Sequence, residues 1–356
     1  MKILTVSLSF ALPVLFPFVF CIAKTDGGIL GKEISHKIIP VVDRDYFPVA
    51  KKLIQEAEKS ICISMFVMKR GEKPNSFVNL LIEELKNAAK RGIKIKILLE
   101  DKEENRSTVD FLRGIGNLEI EIDSRRKITH NKIVIIDENT TLIGSTNWTE
   151  KSIGHANEAN ATIKDKKIAG YFQEYFDRLW KDSSKDISPF KNFTGDIIPL
   201  IDRQYFDVVK ELMSKSAQRI FVMVYGYKLS ETGNTKAKGD ILADEIIKAK
   251  RRGVGTKVLL EKSNFSNQLN KMNGETIEYF KKHGVEARFD SKNIITHSKV
   301  VVIDDAVILG ATNWSYSGLE EWHNTDVLIR EKGIVDFFVN YFEEKFNSNL
   351  QSVKMG

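Results

Sequence analysis

Four residue types recur at fixed spacing in two separate stretches of the chain. Thr129, His130, Lys132 and Asp137 belong to the string Thr-His-Asn-Lys-Ile-Val-Ile-Ile-Asp, and Gly144-Ser145-Thr146-Asn147-Trp148 follows it. Thr296, His297, Lys299 and Asp304 belong to a second string, followed by Gly310-Ala311-Thr312-Asn313-Trp314. One residue separates His from Lys, and alternate side chains of a strand share a face, so imidazole and ammonium point the same way. Each string thus offers one titratable base and one cation on rigid backbone. That set suits an anionic tetrahedral group better than a neutral carbonyl.

Brought together, the two strings can divide the work of cleaving a phosphodiester. The reaction needs a nucleophile, a donor for the leaving oxygen, and groups that hold charge on the phosphoryl oxygens. Imidazole titrates near neutrality, so one histidine can be neutral while the other is protonated. Lys132, Lys299 and the amides of Asn147 and Asn313 supply the oxygen-holding role. The lysines neutralise the phosphate, so this reading needs no divalent metal and no other cofactor. A working histidine also needs its far nitrogen bonded to an acceptor. Glu158, in His155-Ala156-Asn157-Glu158, and Asp326, in His323-Asn324-Thr325-Asp326, are the candidates, which sets His155 opposite His323 in the repeat. Asp137 and Asp304 stand where each strand runs into a turn, and both a catalytic and a purely structural role remain open for them.

The string His-x-Lys-x-x-x-x-Asp with a following Gly-x-x-Asn, present twice, resembles the duplicated signature of the phospholipase D superfamily. The resemblance covers nearly the whole chain beyond its first residues. It implies a two-lobed α/β sandwich with the site at the lobe interface, and a covalent phosphohistidine resolved by water or by an alcohol. Carried over by position, His130, Lys132 and Asn147 form one half-site and His297, Lys299 and Asn313 the other. Asp137 and Asp304 complete the two motifs. The resemblance implies His130 as nucleophile and His297 as general acid. Asp326 departs from the glutamate common in the family, which puts the firmness of His297's orientation in doubt.

The elements that must position these residues are themselves duplicated. Ile38-Ile39-Pro40-Val41-Val42-Asp43-Arg44 returns as Ile197-Ile198-Pro199-Leu200-Ile201-Asp202-Arg203, and the strand-like run ending in Glu100 is echoed by one ending in Glu261. Apolar spacing predicts helices over 43–59, 77–91 (stopped by Gly92), 107–112 and 166–180. Strands are expected over 61–68, 93–99, 118–122 and 159–163, with a hairpin at the motif itself. The second half repeats this order with a longer loop over 227–240. The expected class is α/β: two similar lobes, each a mixed, largely parallel sheet flanked by helices, related by a pseudo-twofold with the site between them. Lobe 1 is assigned to 36–181, a linker to 182–195 and lobe 2 to 196–350, giving a monomer that is an internal pseudo-dimer.

A net charge of +6 and a pI near 9.0 suit an anionic partner, either nucleic acid or a membrane surface. Lys2 precedes an uncharged run from Ile3 to Ala23, so residues 1–23 read as an export signal, with an uncleaved membrane anchor as the alternative. Either places the protein in a secreted or periplasmic location, or on a membrane. The two cysteines, Cys21 and Cys62, form no zinc spacing, and Cys62 lies in an apolar run as a small buried hydrophobe. The leading expectation is a hydrolase of phospholipid head-group phosphodiesters; the alternative is a metal-independent exported nuclease acting on DNA or RNA.

Overall fold

Each histidine string becomes the edge of a buried strand in a computed structural model that describes residues 37–230 and 237–352. The apolar leader and residues 231–236 of the longer loop lie outside those residues. Among the described residues no helix is long and apolar enough to cross a membrane.

Lobe 1 runs β1 (Ile38–Val42), α1 (Tyr46–Glu56), β2 (Ser60–Met65), α2 (Phe77–Lys90), β3 (Lys94–Leu99), α3 (Glu103–Leu112) and β4 (Leu118–Ile122). It continues with β5 (Lys132–Ile136), β6 (Thr140–Gly144), α4 (Glu150–His155), β7 (Ala159–Lys164) and α5 (Lys166–Lys181). Lobe 2 repeats the order: β8 (Ile197–Ile201), α6 (Gln204–Lys215), β9 (Arg219–Val224), α7 (Lys238–Arg251), β10 (Gly255–Leu260), α8 (Asn267–Lys282) and β11 (Glu286–Phe289). The chain closes with β12 (Lys299–Ile303), β13 (Ala306–Gly310), α9 (Tyr316–Glu320), β14 (Thr325–Ile329) and α10 (Lys332–Ser352).

Each lobe holds one seven-stranded mixed sheet, in the orders β1-β7-β6-β5-β2-β3-β4 and β11-β10-β9-β12-β13-β14-β8. The mixed sheets, flanking helices and two similar lobes agree with the sequence reading; the balance of directions does not. In lobe 1 only β2–β3 and β3–β4 run parallel, while β1–β7, β7–β6, β6–β5 and β5–β2 are antiparallel. β5 runs into β6 through the short turn at 137–139, and a short turn can only reverse direction, whereas β6 reaches β7 through the loop that holds α4, and β2 and β1 pair with strands far along the chain.

The strands are β-branched and apolar on both faces because both faces are covered. Ile133 and Ile135 of β5 join a central core, and Val134 and Ile136 join the outer core under α1 and α2. In β12, Val300 and Val302 join the same central core, while Val301 and Ile303 face the outer core of lobe 2. The central core also contains Tyr171, Phe172 and Phe176 of α5 and Phe338 and Phe342 of α10. These two helices therefore lie between the sheets, and the layers run helix, sheet, helix, sheet, helix. The described residues form one compact unit, since neither sheet can bury its inner face without the other half.

Local signals account for the boundaries. Ser76 accepts a hydrogen bond from Asn79 N to cap α2, and Asp165 caps α5 from Lys167 N and Ile168 N. Gly92 and Gly253 end α2 and α7 at φ of 90° and 91°, the left-handed conformation that a Cβ disfavours. Cys62 is buried, and burial pushes its thiol up to about 11, so it packs as a hydrophobe.

Candidate active site

Lys132 and Lys299 begin β5 and β12 at the end of each sheet where β2 and β9 finish, paired with Met65 and Val224. The residues just before them leave their own sheet and pair with the other lobe. Thr129 bridges His323, and Asn157 bridges Thr296. His130 N donates to His323 O at 2.8 Å, and His297 N donates to Asn157 O at 2.9 Å. These contacts are reciprocal, residue for equivalent residue, as an isologous interface requires. The peptide on which each histidine stands is therefore held by the opposite lobe.

The side chains follow the same rule. His297 Nδ1 lies 3.0 and 3.1 Å from the two carboxylate oxygens of Glu158. His130 Nδ1 lies 3.1 Å from Asn324 Oδ1. Asn324 Nδ2 donates to Gly318 O at 2.9 Å, so its amide is turned with the oxygen toward the histidine. Oδ1 accepts only, and Nδ1 of His130 must carry the proton. In both rings Nε2 has no hydrogen bond among the described residues, and a lone pair or a proton is free there for chemistry. Phe66 and Trp322 flank the His130 ring at centroid distances of 4.6 and 4.9 Å, and Tyr225 flanks His297 at 4.9 Å.

The two carboxylates expected from sequence make different contacts. Glu158 does hold a histidine, that of the other motif. Asp326 holds neither. Its Oδ1 accepts from Thr312 N at 3.2 Å and its Oδ2 from Thr312 Oγ1 at 2.6 Å. Strand register explains the error: Gly144 pairs with Asn160 and Gly310 with Asp326. Asp326 therefore corresponds to Asn160, Asn324 to Glu158 and His323 to Asn157; His155 is no counterpart of His323. The two glycines fix this register, because a Cβ at Gly144 would lie 2.5 Å from Asn160 Cα and one at Gly310 2.5 Å from Asp326 Cα.

Asp137 and Asp304 are also placed differently from a catalytic role. They lie past the far ends of β5 and β12, about 16 Å of extended strand from the lysines. Asp137 accepts from Glu58 N, Lys59 N and Ser60 N at 2.9, 2.7 and 2.9 Å. Asp304 does the same for Ala217 N, Gln218 N and Arg219 N at 2.8, 2.8 and 2.9 Å. Both sit at positive φ, 54° and 48°, which aspartate tolerates in a turn. Each binds three otherwise unpaired amides where the chain turns into the motif strand's neighbour.

Lys132 Nζ and Lys299 Nζ donate to His130 O at 2.6 Å and His297 O at 2.5 Å, and both lysines are buried. Burial lowers the Lys132 ammonium well below its usual value, and the Lys299 charge adds to this. Burial brings Lys299 to about 7 against the pull of Glu158 and Asp326. His130 is lowered well below the ordinary histidine value by burial and by both lysines. His297 is lowered by burial too, with Glu158 opposing the shift. Burial pushes Asp326 up to about 7. A buried pocket of crowded cations is a site in which an anion restores the ordinary charge of every group. Asn147 and Asn313 stand on the loops that leave β6 and β13 at this same end, and the buried Oδ1 of each has no partner among the described residues. Trp148 and Trp314 are fully buried beside them, their Nε1 donating to Tyr46 and Tyr205 hydroxyls at 2.9 Å.

Several supporting residues carried no motif signal of their own. Asp43 Oδ1 and Asp202 Oδ1 accept from the N–H of Glu158 and Asn324 at 2.9 and 3.0 Å, fixing the two residues that hold the histidines. Their hint was the repeated Pro-Val-Val-Asp-Arg and Pro-Leu-Ile-Asp-Arg. Ser145 and Ser152 donate to Glu158. Burial raises the Glu158 carboxyl, but the charge and hydrogen bond of His297, with Lys299 and Ser145, bring it below its usual value.

The comparisons with known proteins agree with this architecture. Residues 50–180 and 209–346 match the family model described as cardiolipin synthase, PLD-like domain. The chain is 30% identical over 108 residues to a mitochondrial cardiolipin hydrolase of Chlamydomonas reinhardtii, covering 30% of this chain and 47% of that protein. It is 31% identical over 128 residues to a phospholipase D of Rickettsia prowazekii, covering 35% and 58%. It thus spans about half the length of these two relatives. A phospholipase D of Rickettsia typhi is 30% identical over 157 residues, covering 41% of this chain and 74% of that one. In structure the chain is similar to a phosphatidylserine synthase of Haemophilus influenzae, with a TM-score of 0.69 at 11% identity over 87% of this chain and 86% of that one. A polyphosphate kinase of Porphyromonas gingivalis gives 0.61 at 13% identity, over 87% and 50%. Two similar lobes, a family model matched twice along the chain, and the shared fold lead to one assignment: the chain belongs to the phospholipase D superfamily.

Proposed function

We propose that the protein is a phosphodiesterase of phospholipase D type that hydrolyses phospholipid head-group phosphodiester bonds through a phosphohistidine. The observation that carries the mechanism is the unlike pair of Nδ1 acceptors, an amide on His130 and a carboxylate on His297. Environments that set two titratable groups apart assign the base and the acid. His130, neutral and with its proton fixed on Nδ1, presents Nε2 as the nucleophile. His297, beside Glu158, holds the proton that the leaving oxygen needs.

In the first step His130 Nε2 bonds to phosphorus, the bond from phosphorus to the head-group oxygen breaks, and that oxygen takes the proton from His297 Nε2. In the second, water attacks phosphorus and gives a proton to His297. The phosphorus–nitrogen bond breaks, and His130 is restored with phosphatidate released. Lys132, Lys299, Asn147 and Asn313 hold the phosphoryl oxygens as charge builds on them.

The rim of the cleft favours a lipid over a nucleic acid. Of the six large hydrophobic side chains exposed among the described residues, three stand at the cleft end of lobe 2, Phe265 and Ile294 on loops and Tyr316 at the start of α9. Phe265 lies in an inserted stretch. Asn105, which binds the carbonyl of Glu100, follows it by five residues, whereas Asn273 follows Glu261 by twelve. Lys151 of lobe 1 stacks on the Phe265 ring at 3.7 Å, and exposed Lys292 neighbours Ile294. Apolar tips among lysines fit the headgroup region of an anionic bilayer, and the aliphatic Ile294 offers no face for a base to stack on.

The test is release of choline or ethanolamine from liposomes, run beside nicking of plasmid DNA, both in EDTA. Head-group release is expected. DNA cleavage without lipid turnover would replace this reading with the nuclease, and loss of all activity in EDTA would end the metal-free scheme.

A further inference from the structure

Behind each Thr-His peptide lies a buried carboxyl pair that phosphoryl transfer does not use. Glu100 and Asp123 follow β3 and β4, and Thr129 N donates to both, at 2.7 Å to Glu100 Oε2 and 3.2 Å to Asp123 Oδ2. In lobe 2, Thr296 N donates to Glu261 Oε2 at 2.7 Å, and Asp290 occupies the place of Asp123. Each aspartate is fixed by its other oxygen: Asp123 Oδ1 accepts from Asp101 N at 2.8 Å and Asp290 Oδ1 from Lys262 N at 2.6 Å. Relative exposures are 6% for Glu100, 7% for Asp123, 0% for Glu261 and 4% for Asp290.

Ionised carboxylates only accept hydrogen bonds. Two that converge on one amide bring oxygens together with only the threonine hydroxyl, which reaches the aspartate, as a side-chain donor beside them. Glu261 Oε1 and Asp290 Oδ2 are buried without a partner among the described residues. Two full negative charges this close and this dry repel by several times thermal energy. One proton between the pair removes the repulsion and supplies the missing donor.

We propose that Glu100–Asp123 and Glu261–Asp290 each share one proton and act as positioning residues, clamping the Thr129 and Thr296 amides and thereby setting His130 and His297. The proton sits on the glutamate. Burial and then the neighbouring aspartate push Glu100 up to about 8 and Glu261 up to about 9. Burial raises both aspartates as well, opposed at Asp123 by hydrogen bonds from Glu100 and then Thr129, and at Asp290 by those from Thr296 and then Glu261. The charged groups facing the first pair are Lys102 and Lys132, and those facing the second are Lys151 and Lys299. One negative charge thus remains in each lobe opposite the motif lysine. The inference rests on the phosphodiesterase reading only for its kinetic readout.

The test compares the full chain with Glu100→Gln/Glu261→Gln and Glu100→Ala/Glu261→Ala. Glutamine mimics the protonated glutamate, accepting from the threonine amide and donating to the aspartate. In a wild-type-minus-glutamine-variant infrared difference at neutral pH, a carbonyl band from a buried protonated carboxyl is expected, the share of Asp326 being common to both proteins and cancelling. On an activated phosphodiester, the glutamine variant is expected to keep kcat within about threefold at neutral pH, while the alanine variant loses about 100-fold through misplaced histidines. The alkaline limb of the glutamine variant should extend to higher pH, since its clamp cannot gain a second charge; Lys299 titrates in both proteins and cancels in the comparison. No infrared difference band at neutral pH, equal losses in the two variants, or an unmoved alkaline limb overturns the proposal. If the alanine variant fails to fold, the band and the limb decide. Absence of any turnover by the wild type overturns the functional reading instead, and the band then decides the clamp alone.

Discussion

The two half-sites share one backbone and differ in a single decisive side chain. Lobe 1 contributes Glu158 to His297 of lobe 2, and lobe 2 contributes Asn324 to His130 of lobe 1. The aspartates that hold these two residues, Asp43 and Asp202, are the same, as are the buried tryptophans and the amides bound by Asp137 and Asp304. A symmetric dimer of one such lobe would give both histidines the same acceptor. Duplication lets the acceptors diverge, so the two rings stand against unlike groups, an amide for His130 and a carboxylate for His297.

The largest effect that could break this comparison is loss of either histidine. His130→Ala and His297→Ala are each expected to reduce phosphodiester hydrolysis about 10⁴-fold. The leaving group separates them: p-nitrophenol departs without a proton, so His297→Ala should regain most of the first step with it and accumulate phosphoenzyme, and His130→Ala should not. Equal rescue of both would make the histidines interchangeable.

Exchanging the acceptors should shift pH profiles in opposite directions. Glu158→Gln gives both histidines an amide, lowers the pKa of the proton donor His297, and is expected to reduce kcat/KM about 100-fold with the alkaline limb moved to lower pH. Asn324→Asp gives both a carboxylate, raises His130, and should move the acid limb to higher pH, with roughly a tenfold loss below neutrality. Reversed shifts would exchange the two roles.

The carboxyl clamps predict a stability difference. Glu100 and Glu261 have folded values near 8 and 9, raised above an unfolded value of about 4.3. Their contribution is complete below the unfolded value and falls away as pH rises through 8 and then 9. The melting temperature of Glu100→Gln/Glu261→Gln, relative to wild type, should therefore rise steadily between pH 5 and pH 9, by roughly 2–4 °C for each kcal/mol. A constant difference across that range would show that no proton is held.

The smallest kinetic effect is expected at the aspartates that complete the motifs. Asp137→Asn and Asp304→Asn weaken three amide contacts each without the strain that alanine would meet at positive φ, and should cost about 1–3 kcal/mol of stability. Asp304 is a carboxyl that burial would raise but its three amide donors hold below the usual value, so its contribution is lost as pH falls. Turnover per folded molecule should stay near wild type in both. A large fall in kcat for the folded protein would return these residues to the chemistry.

Much of this was legible in the residues alone. Identical spacing of His, Lys, Asp and Asn in two strings marks a duplicated half-site, and apolar β-branched runs such as Ile133–Ile136 mark strands covered on both faces. The glycines of the motifs point to close approach, although what approaches is visible only once β7 and β14 are paired. Strand direction was harder to read, because apolar runs look alike in parallel and antiparallel neighbours. The register after the motif differs by two residues from what the aligned strings suggest, since the pairing of Gly310 with Asp326 is a contact and not a pattern. The two-residue shift is why Asp326 meets no histidine and why His155 is not the counterpart of His323.

The sequence by itself determined that two histidine–lysine pairs exist, that they stand on equivalent strands, and that the chain belongs with proteins carrying such pairs. It could do so because spacing along a strand is a local property. Only the tertiary structure decided which acceptor serves which histidine, because every such hydrogen bond crosses from one lobe to the other. Glu158 lies 139 residues from His297 and Asn324 lies 194 from His130, separations over which only the packing of the two sheets selects a partner.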